Sequence, residues 1–191
     1  MAIILEGPDA AGKTTLAKTL MAIEPRLEFY SSGGAPKTVD DMNEFCLVQE
    51  ALSLRKGMIL DRITPISHPI YNNIPEATKS FLSGVLANIL TSPGLIIVYC
   101  RPSNDLLMAP EKHQWKDYDT EEDKQKILTR QHEFINAYDE VFNNVPHISY
   151  DYSDTEANVD LIPLMALSQF DDEIFNILTR AGNEHKRYSL S

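Results

Sequence analysis

Ala2-Ile3-Ile4-Leu5-Glu6-Gly7-Pro8-Asp9-Ala10-Ala11-Gly12-Lys13-Thr14-Thr15 is the stretch on which the reading of this chain turns. Its first four residues are all apolar, which suits a strand covered on both faces rather than one with a wet side. Two glycines then bracket a short turn, and Lys13 opens a helical stretch that runs to Ile23 and stops at Glu24-Pro25. The spacing G-x4-G-K-[ST] has a physical reason. Glycines let the backbone wrap an oxoanion with its amides pointing inward, a Lys ammonium reaches the outer phosphates, and a Thr hydroxyl can ligate Mg2+. Gly7, Ala10, Ala11, Gly12, Lys13, Thr14 and Thr15 therefore read as a P-loop that holds the phosphates of a nucleotide such as ATP.

Outward from this loop, apolar runs alternate with amphipathic stretches, as in an α/β protein built on a parallel sheet. Short strands are expected over 27–30, 58–60 and 147–150. The continuous run Leu95-Ile96-Ile97-Val98-Tyr99-Cys100 reads as a central parallel strand. Helices are expected over 39–56, ended by Gly57, and over 75–90, where Phe81, Val85 and Ile89 with Leu82 and Leu86 fall on one face. Ser31-Ser32-Gly33-Gly34-Ala35-Pro36 reads as a flexible connection. The polar segment 109–120 contains Lys112, His113, Trp115 and Lys116 and is the candidate for a short mobile lid. Thr120-Glu121-Glu122-Asp123 then caps a long helix. Further helices are expected over 156–169 and 172–180, with a loosely held tail from Ala181. The whole of 1–191 is read as a single domain.

Of the 191 residues, 43% are hydrophobic, which provides for a substantial core. No apolar run approaches the roughly 18 residues of a membrane span, and the start of the chain lacks the basic and apolar regions of a secretory leader, so a cytoplasmic location is expected. The only cysteines, Cys46 and Cys100, have no partner at metal-ligand spacing and read as buried thiols. With 28 acidic against 17 basic residues the formal net charge is −11, which argues against nucleic acid as the main partner. Small anions remain compatible with it, because a few backbone amides and cations can hold them inside an acidic protein.

The P-loop alone does not distinguish kinases from other nucleotide hydrolases. No Asn-Lys-x-Asp guanine-reading motif is present. The stretch from Leu5 to Thr15, together with Leu60-Asp61-Arg62 followed by Ser67 and Tyr71, resembles the thymidylate kinase family over roughly residues 1–165. That resemblance implies a P-loop NTPase three-layer sandwich, with a five-stranded parallel sheet between helices and a short lid. It implies a homodimer and a Mg2+-dependent, ATP-using nucleoside monophosphate kinase. It also implies roles for particular residues. Asp9 would lie near the acceptor sugar, Thr14 and Asp61 would organise Mg2+, and Arg62 would grip the acceptor phosphate. Tyr71 is the favoured base-stacking aromatic, ahead of Phe45 and Phe81. Two departures from the family pattern concern the acceptor. Ser31-Ser32-Gly33-Gly34-Ala35-Pro36-Lys37 lacks the Arg usual after the second strand, and Ala10 and Ala11 leave no cation inside the loop. The missing catalytic cation would then come from the lid, Lys116 or Lys112. Arg101, at the carboxyl end of the central strand, stands where open sheets bind their ligands.

The expected reaction is transfer of the ATP γ-phosphoryl group to a small-molecule acceptor, a dTMP-like deoxynucleoside monophosphate. A phosphate acceptor needs no strong base, and Ser-Ser-Gly-Gly after the second strand supplies none. Three alternatives stay open at this stage. One is a nucleoside kinase. Another is a kinase acting on a modified pyrimidine in DNA, a use made of similar folds in some viruses. The third is a non-catalytic nucleotide-binding module.

Overall fold

The computed structural model describes residues 2–109 and 121–153. Five parallel strands, β1 (Ala2–Glu6), β2 (Glu28–Ser31), β3 (Met58–Asp61), β4 (Ile96–Cys100) and β5 (Ile148–Tyr150), form one sheet in the order β2-β3-β1-β4-β5. The apolar run that opens the chain is central: Leu5 stands opposite Asp61 on one side and Val98 on the other. From β1 the chain goes to one side for β2 and β3 and to the other for β4 and β5. The connections therefore diverge at the carboxyl end of β1, where open sheets leave a crevice for a ligand.

Six helices connect and cover the described strands: α1 (Lys13–Ile23), α2 (Val39–Ser53), α3 (Thr64–Tyr71), α4 (Glu76–Leu90), α5 (Asn104–Met108) and α6 (Glu121–Phe142). Alternate residues of β1 serve opposite layers, which is why the strand reads as uninterruptedly apolar. Ala2 and Ile4 pack with Met42 and Cys46 of α2, Leu82, Val85 and Ile89 of α4, and Tyr138 and Phe142 of α6. Ile3 and Leu5 pack on the other face with Leu16, Ala17 and Leu20 of α1, Leu107 of α5 and Ile135 of α6. Cys46 and Cys100 are both buried, one in each layer. The helix expected over 39–56 ends at Ser53. Its entrance is a capping box, in which Thr38 accepts the Asp41 N–H and Asp41 accepts the Thr38 N–H. Its exit is earlier than expected because Gly57 is left-handed at φ 80 and the chain must leave the helix to reach it. No described helix is long and apolar enough to cross a membrane.

The sequence pattern does not announce α3, since Pro65 and Pro69 both fall inside it. It forms because Pro65 lies in the first turn, where a missing N–H costs nothing, and because buried side chains meet the neighbouring amides. The lid expected over 109–120 lies outside the described residues save Ala109. So do the helices expected over 156–169 and 172–180 and the tail beyond them.

Candidate active site

The loop between β1 and α1 is held by three devices. Gly7 has φ 140, and a Cβ there would stand 2.4 Å from the Cys100 carbonyl oxygen, so only glycine lets the loop pass so close to β4. Gly12, at φ 79, makes the left-handed entry to α1. The buried Lys13 then folds its Nζ back over the loop, donating to Gly7 O at 2.9 Å and Pro8 O at 2.6 Å. Burial, with the Arg62 charge next in size, pushes the Lys13 ammonium down to about 8. Thr14, one residue on, donates from Oγ1 to Asp61 Oδ2 at 3.5 Å.

Arg62 comes from the neighbouring strand end and is left-handed at φ 63. Its half-buried guanidinium donates from Nη2 to Asp9 Oδ1 at 2.6 Å, Tyr71 Oη at 2.9 Å and Gly7 O at 3.3 Å, and it lies 4.9 Å from the Tyr71 ring centre. Tyr71 packs its ring on Phe134 at 4.5 Å and meets Tyr138 edge-on. Gly7, Asp9, Lys13, Thr14, Asp61, Arg62 and Tyr71 are thus gathered at one point. Arg101 is close by along the sheet edge but engaged otherwise. Its Nε and Nη2 hold Asp139 at 2.8 and 3.0 Å and its Nη1 donates to Pro102 O at 2.8 Å, while Tyr99 donates to the same carboxylate at 2.6 Å. Phe81 is exposed on α4, and Lys112, His113 and Lys116 lie outside the described residues.

Buried polar atoms without a hydrogen-bond partner are normally rare and need an explanation. Among the described residues they are Glu6 Oε2, Asp61 Oδ1, Arg62 Nε, Gln131 Oε1 and Tyr138 Oη. Three belong to side chains bonded to the P-loop or to the turn after β3: Arg62 bonds the loop, Gln131 donates to Asp9 O at 3.2 Å, and Glu6 accepts from Ile63. Asp61 meets Thr14 at the loop's end, and Tyr138 touches the ring of Tyr71. Such unmet capacity is what a site built for a polar ligand leaves. Thr14 Oγ1 and the Asp61 carboxylate are hard oxygen donors of the kind Mg2+ takes, sparingly, alongside phosphate oxygens and water.

Three of these residues are given no role by the sequence reading. Glu6 is a wholly buried carboxylate whose Oε1 accepts the Ile63 N–H at 2.6 Å. Gln131, also wholly buried, ties the P-loop to Leu107 O at the end of α5, at 3.4 Å. Tyr138 shares its helix face at i+7. Glu6 could have been noticed as the one charge in an apolar strand, and Gln131 as a polar residue in register with Phe134 and Tyr138.

Burial pushes the Glu6 carboxyl up to about 7 from 4.5, against the pull of the Ile63 N–H and of Arg62 and Lys13. Between these values the folded chain keeps a proton that the unfolded chain has released, so the contribution of Glu6 to stability declines as pH rises from 4.5 to 7. Glu6→Gln, which cannot titrate, should flatten that decline. The check is the urea midpoint of both proteins at several pH values across the window. Parallel curves would contradict the assignment.

A scan against protein-family models finds no match, and neither does a search of curated proteins. Solved structures do share the fold. The YorR protein from Bacillus subtilis, solved with phosphorylated GDP, is 19% identical with a TM-score of 0.55, covering 93% of this chain and 95% of its own. Deoxyadenosine kinase from M. mycoides, solved with dCTP, is 19% identical with a TM-score of 0.54, covering 79% and 90%. Polyphosphate kinase 2 from Arthrobacter aurescens TC1 is 13% identical with a TM-score of 0.58, covering 96% of this chain and 68% of its own. At these identities the likeness is one of architecture: what is shared is the α/β fold, a five-stranded parallel sheet with flanking helices.

Proposed function

We propose that the chain moves the γ-phosphoryl group of ATP onto a small nucleotide, a deoxynucleoside monophosphate of the dTMP type. The observation that carries this reading is the sharing of one carbonyl by two cations. Gly7 O accepts from Lys13 Nζ at 2.9 Å and Arg62 Nη2 at 3.3 Å. One cation belongs to the loop built for the donor's phosphates. The other belongs to a turn that faces the acceptor side with Asp9 and Tyr71. Two anionic nucleotides repel each other, and a site that transfers between them has to concentrate positive charge where their phosphates meet.

In this reading the amides of the P-loop and Lys13 hold the β- and γ-phosphates. Thr14 and Asp61 would hold Mg2+, which when bound offsets phosphate charge and keeps the donor chain in line. Arg62 exchanges part of its hold on Asp9 and Gly7 for the acceptor's phosphate, using a fork that suits an oxoanion. Asp9 then orients the acceptor sugar, and Tyr71, steadied by Phe134, borders the base. Arg101 has five N–H donors and spends one each from three nitrogens on Asp139 and Pro102, which leaves capacity for a phosphate. The remaining catalytic cation is assigned to Lys116, outside the described residues.

One observation favours a second reading. The Asp9 carboxylate stands beside Arg62, where it could take the proton of an acceptor hydroxyl, and deoxyadenosine kinase is among the shared folds. A single experiment separates the two. Purified protein with ATP and Mg2+ is offered each deoxynucleoside and each deoxynucleoside monophosphate, and ADP release is followed. The proposal expects release stimulated by a monophosphate and suppressed by EDTA. Stimulation by nucleosides alone would install the second reading, and no stimulation by any acceptor would remove both.

A further inference from the structure

Helix α3 has no side-chain cap at Ile63, and Arg62, two residues before its start, is left-handed at φ 63. Non-glycine residues avoid this conformation, and one is held there only when its surroundings enforce it. The ladder between β1 and β3 runs from Ala2 opposite Met58 to Leu5 opposite Asp61, and Leu5 O still accepts the Arg62 N–H at 2.9 Å. Beyond that point the main chain of β1 turns away into the loop at Gly7. The next amide, Ile63 N–H, is met instead by a side chain, Glu6 Oε1, at 2.6 Å. Alongside it Thr64 N–H donates to the buried Gln49 Oε1 at 2.8 Å. Consecutive residues of β1 therefore clamp the backbone on both sides of Arg62, and the second clamp also seats the start of α3, the helix whose last residue is Tyr71.

We infer that Glu6 is a positioning residue for the acceptor side of the site: by accepting the Ile63 N–H it fixes the turn from which Arg62 reaches Asp9 and Tyr71. The kinetic form of this inference rests on the transfer reaction proposed above. What matters in it is reach, because the carboxylate stands in for a ladder carbonyl that the diverging strand no longer supplies. The competing explanation is charge, with Glu6 serving only to balance Lys13 and Arg62. A third explanation is generic support of the P-loop, which would affect donor and acceptor alike.

Two variants separate reach from charge. Glu6→Gln keeps an oxygen acceptor at the same distance and loses the charge. Glu6→Asp keeps the charge and withdraws the acceptor by one methylene. The inference expects Glu6→Asp to raise the acceptor KM about tenfold, the scale of one lost buried hydrogen bond, with the ATP KM within about threefold of wild type. Glu6→Gln should leave both KM values within about threefold. The reverse pattern, equal rises for ATP and acceptor, or no change in either variant would each overturn it. Amide exchange reads the contact without turnover. In wild type the Ile63 amide should exchange as slowly as the β3 ladder amides, and should be exposed in Glu6→Asp but protected in Glu6→Gln. Fast exchange at Ile63 in wild type overturns the inference even if no variant folds. If wild type turns over no acceptor, the transfer reading falls and the exchange comparison alone decides the role of Glu6.

Discussion

Lys13→Ala is expected to slow phosphoryl transfer about a thousandfold or more while the chain stays folded. One preorganised donor removed from a site of developing charge typically costs 10²–10³ in rate, and a full cation aimed at the transferring group should reach the upper end, about 4 kcal/mol. The folded state is affected in two opposed ways. Truncation leaves Gly7 O and Pro8 O without the ammonium that now joins them. It also relieves the burial of a charge, which is what pushes the Lys13 ammonium down to about 8. These effects offset one another, so the urea midpoint should move by no more than about 2 kcal/mol equivalent. Single-turnover kinetics with saturating ATP, beside a urea titration, provides the check. A variant that keeps more than a tenth of the wild-type rate would exclude Lys13 from the chemistry. One that unfolds would show the lysine to be holding the loop together.

Gly7→Ala should be the most damaging single-atom-group insertion in the described part of the chain. Backbone strain at φ 140 costs roughly 1–3 kcal/mol, and the added Cβ would overlap the Cys100 carbonyl at 2.4 Å. That carbonyl cannot retreat easily, since Cys100 is paired with Tyr150 in a strand buried on both faces. Together the two effects should cost about 4 kcal/mol or more, in the exceptional range for a point substitution. For a chain of this size that is a fall in Tm of roughly 10–15 °C. Gly84→Ala is the control. A Cβ there meets nothing within 4 Å, so removing a glycine from the interior of α4 should raise stability by about 0.5–1 kcal/mol. Equal melting temperatures for wild type and Gly7→Ala would show that the loop can move off β4.

The strands and the loop are legible in the sequence because each depends on local chemistry. An apolar run in β1 or β4 has no wet face to accommodate, and the P-loop spacing follows from wrapping a phosphate. Asp61 and Arg62 are legible as a pair beside a strand. What the sequence leaves obscure is contact across long separations. Gln131 reaches the Asp9 carbonyl, and nothing in its own neighbourhood says so. The bond from Glu6 to Ile63 is hidden for the same reason. α3 is obscured by its prolines, and Arg101 by the fact that Asp139, its carboxylate, lies on α6. The end of α2 is obscured because Leu54, Arg55 and Lys56 carry no breaker of their own, while the left-handed Gly57 beyond them requires the chain to leave the helix after Ser53.

The central place of β1 has a further consequence for biosynthesis. Ile3 is made well before its neighbours Ile59 and Ile96, and the Cys100 carbonyl that shapes the loop comes later still. At synthesis rates of about 5–20 residues per second the first strand waits on the order of 5–20 s for its second neighbour. Meanwhile β2 and β3 can already pair. A chain still being made therefore carries an Ala2-Ile3-Ile4-Leu5 segment that can pair with β3 on one side but stays open on the other, and the loop between β1 and α1 gains its second wall only once β4 has been made.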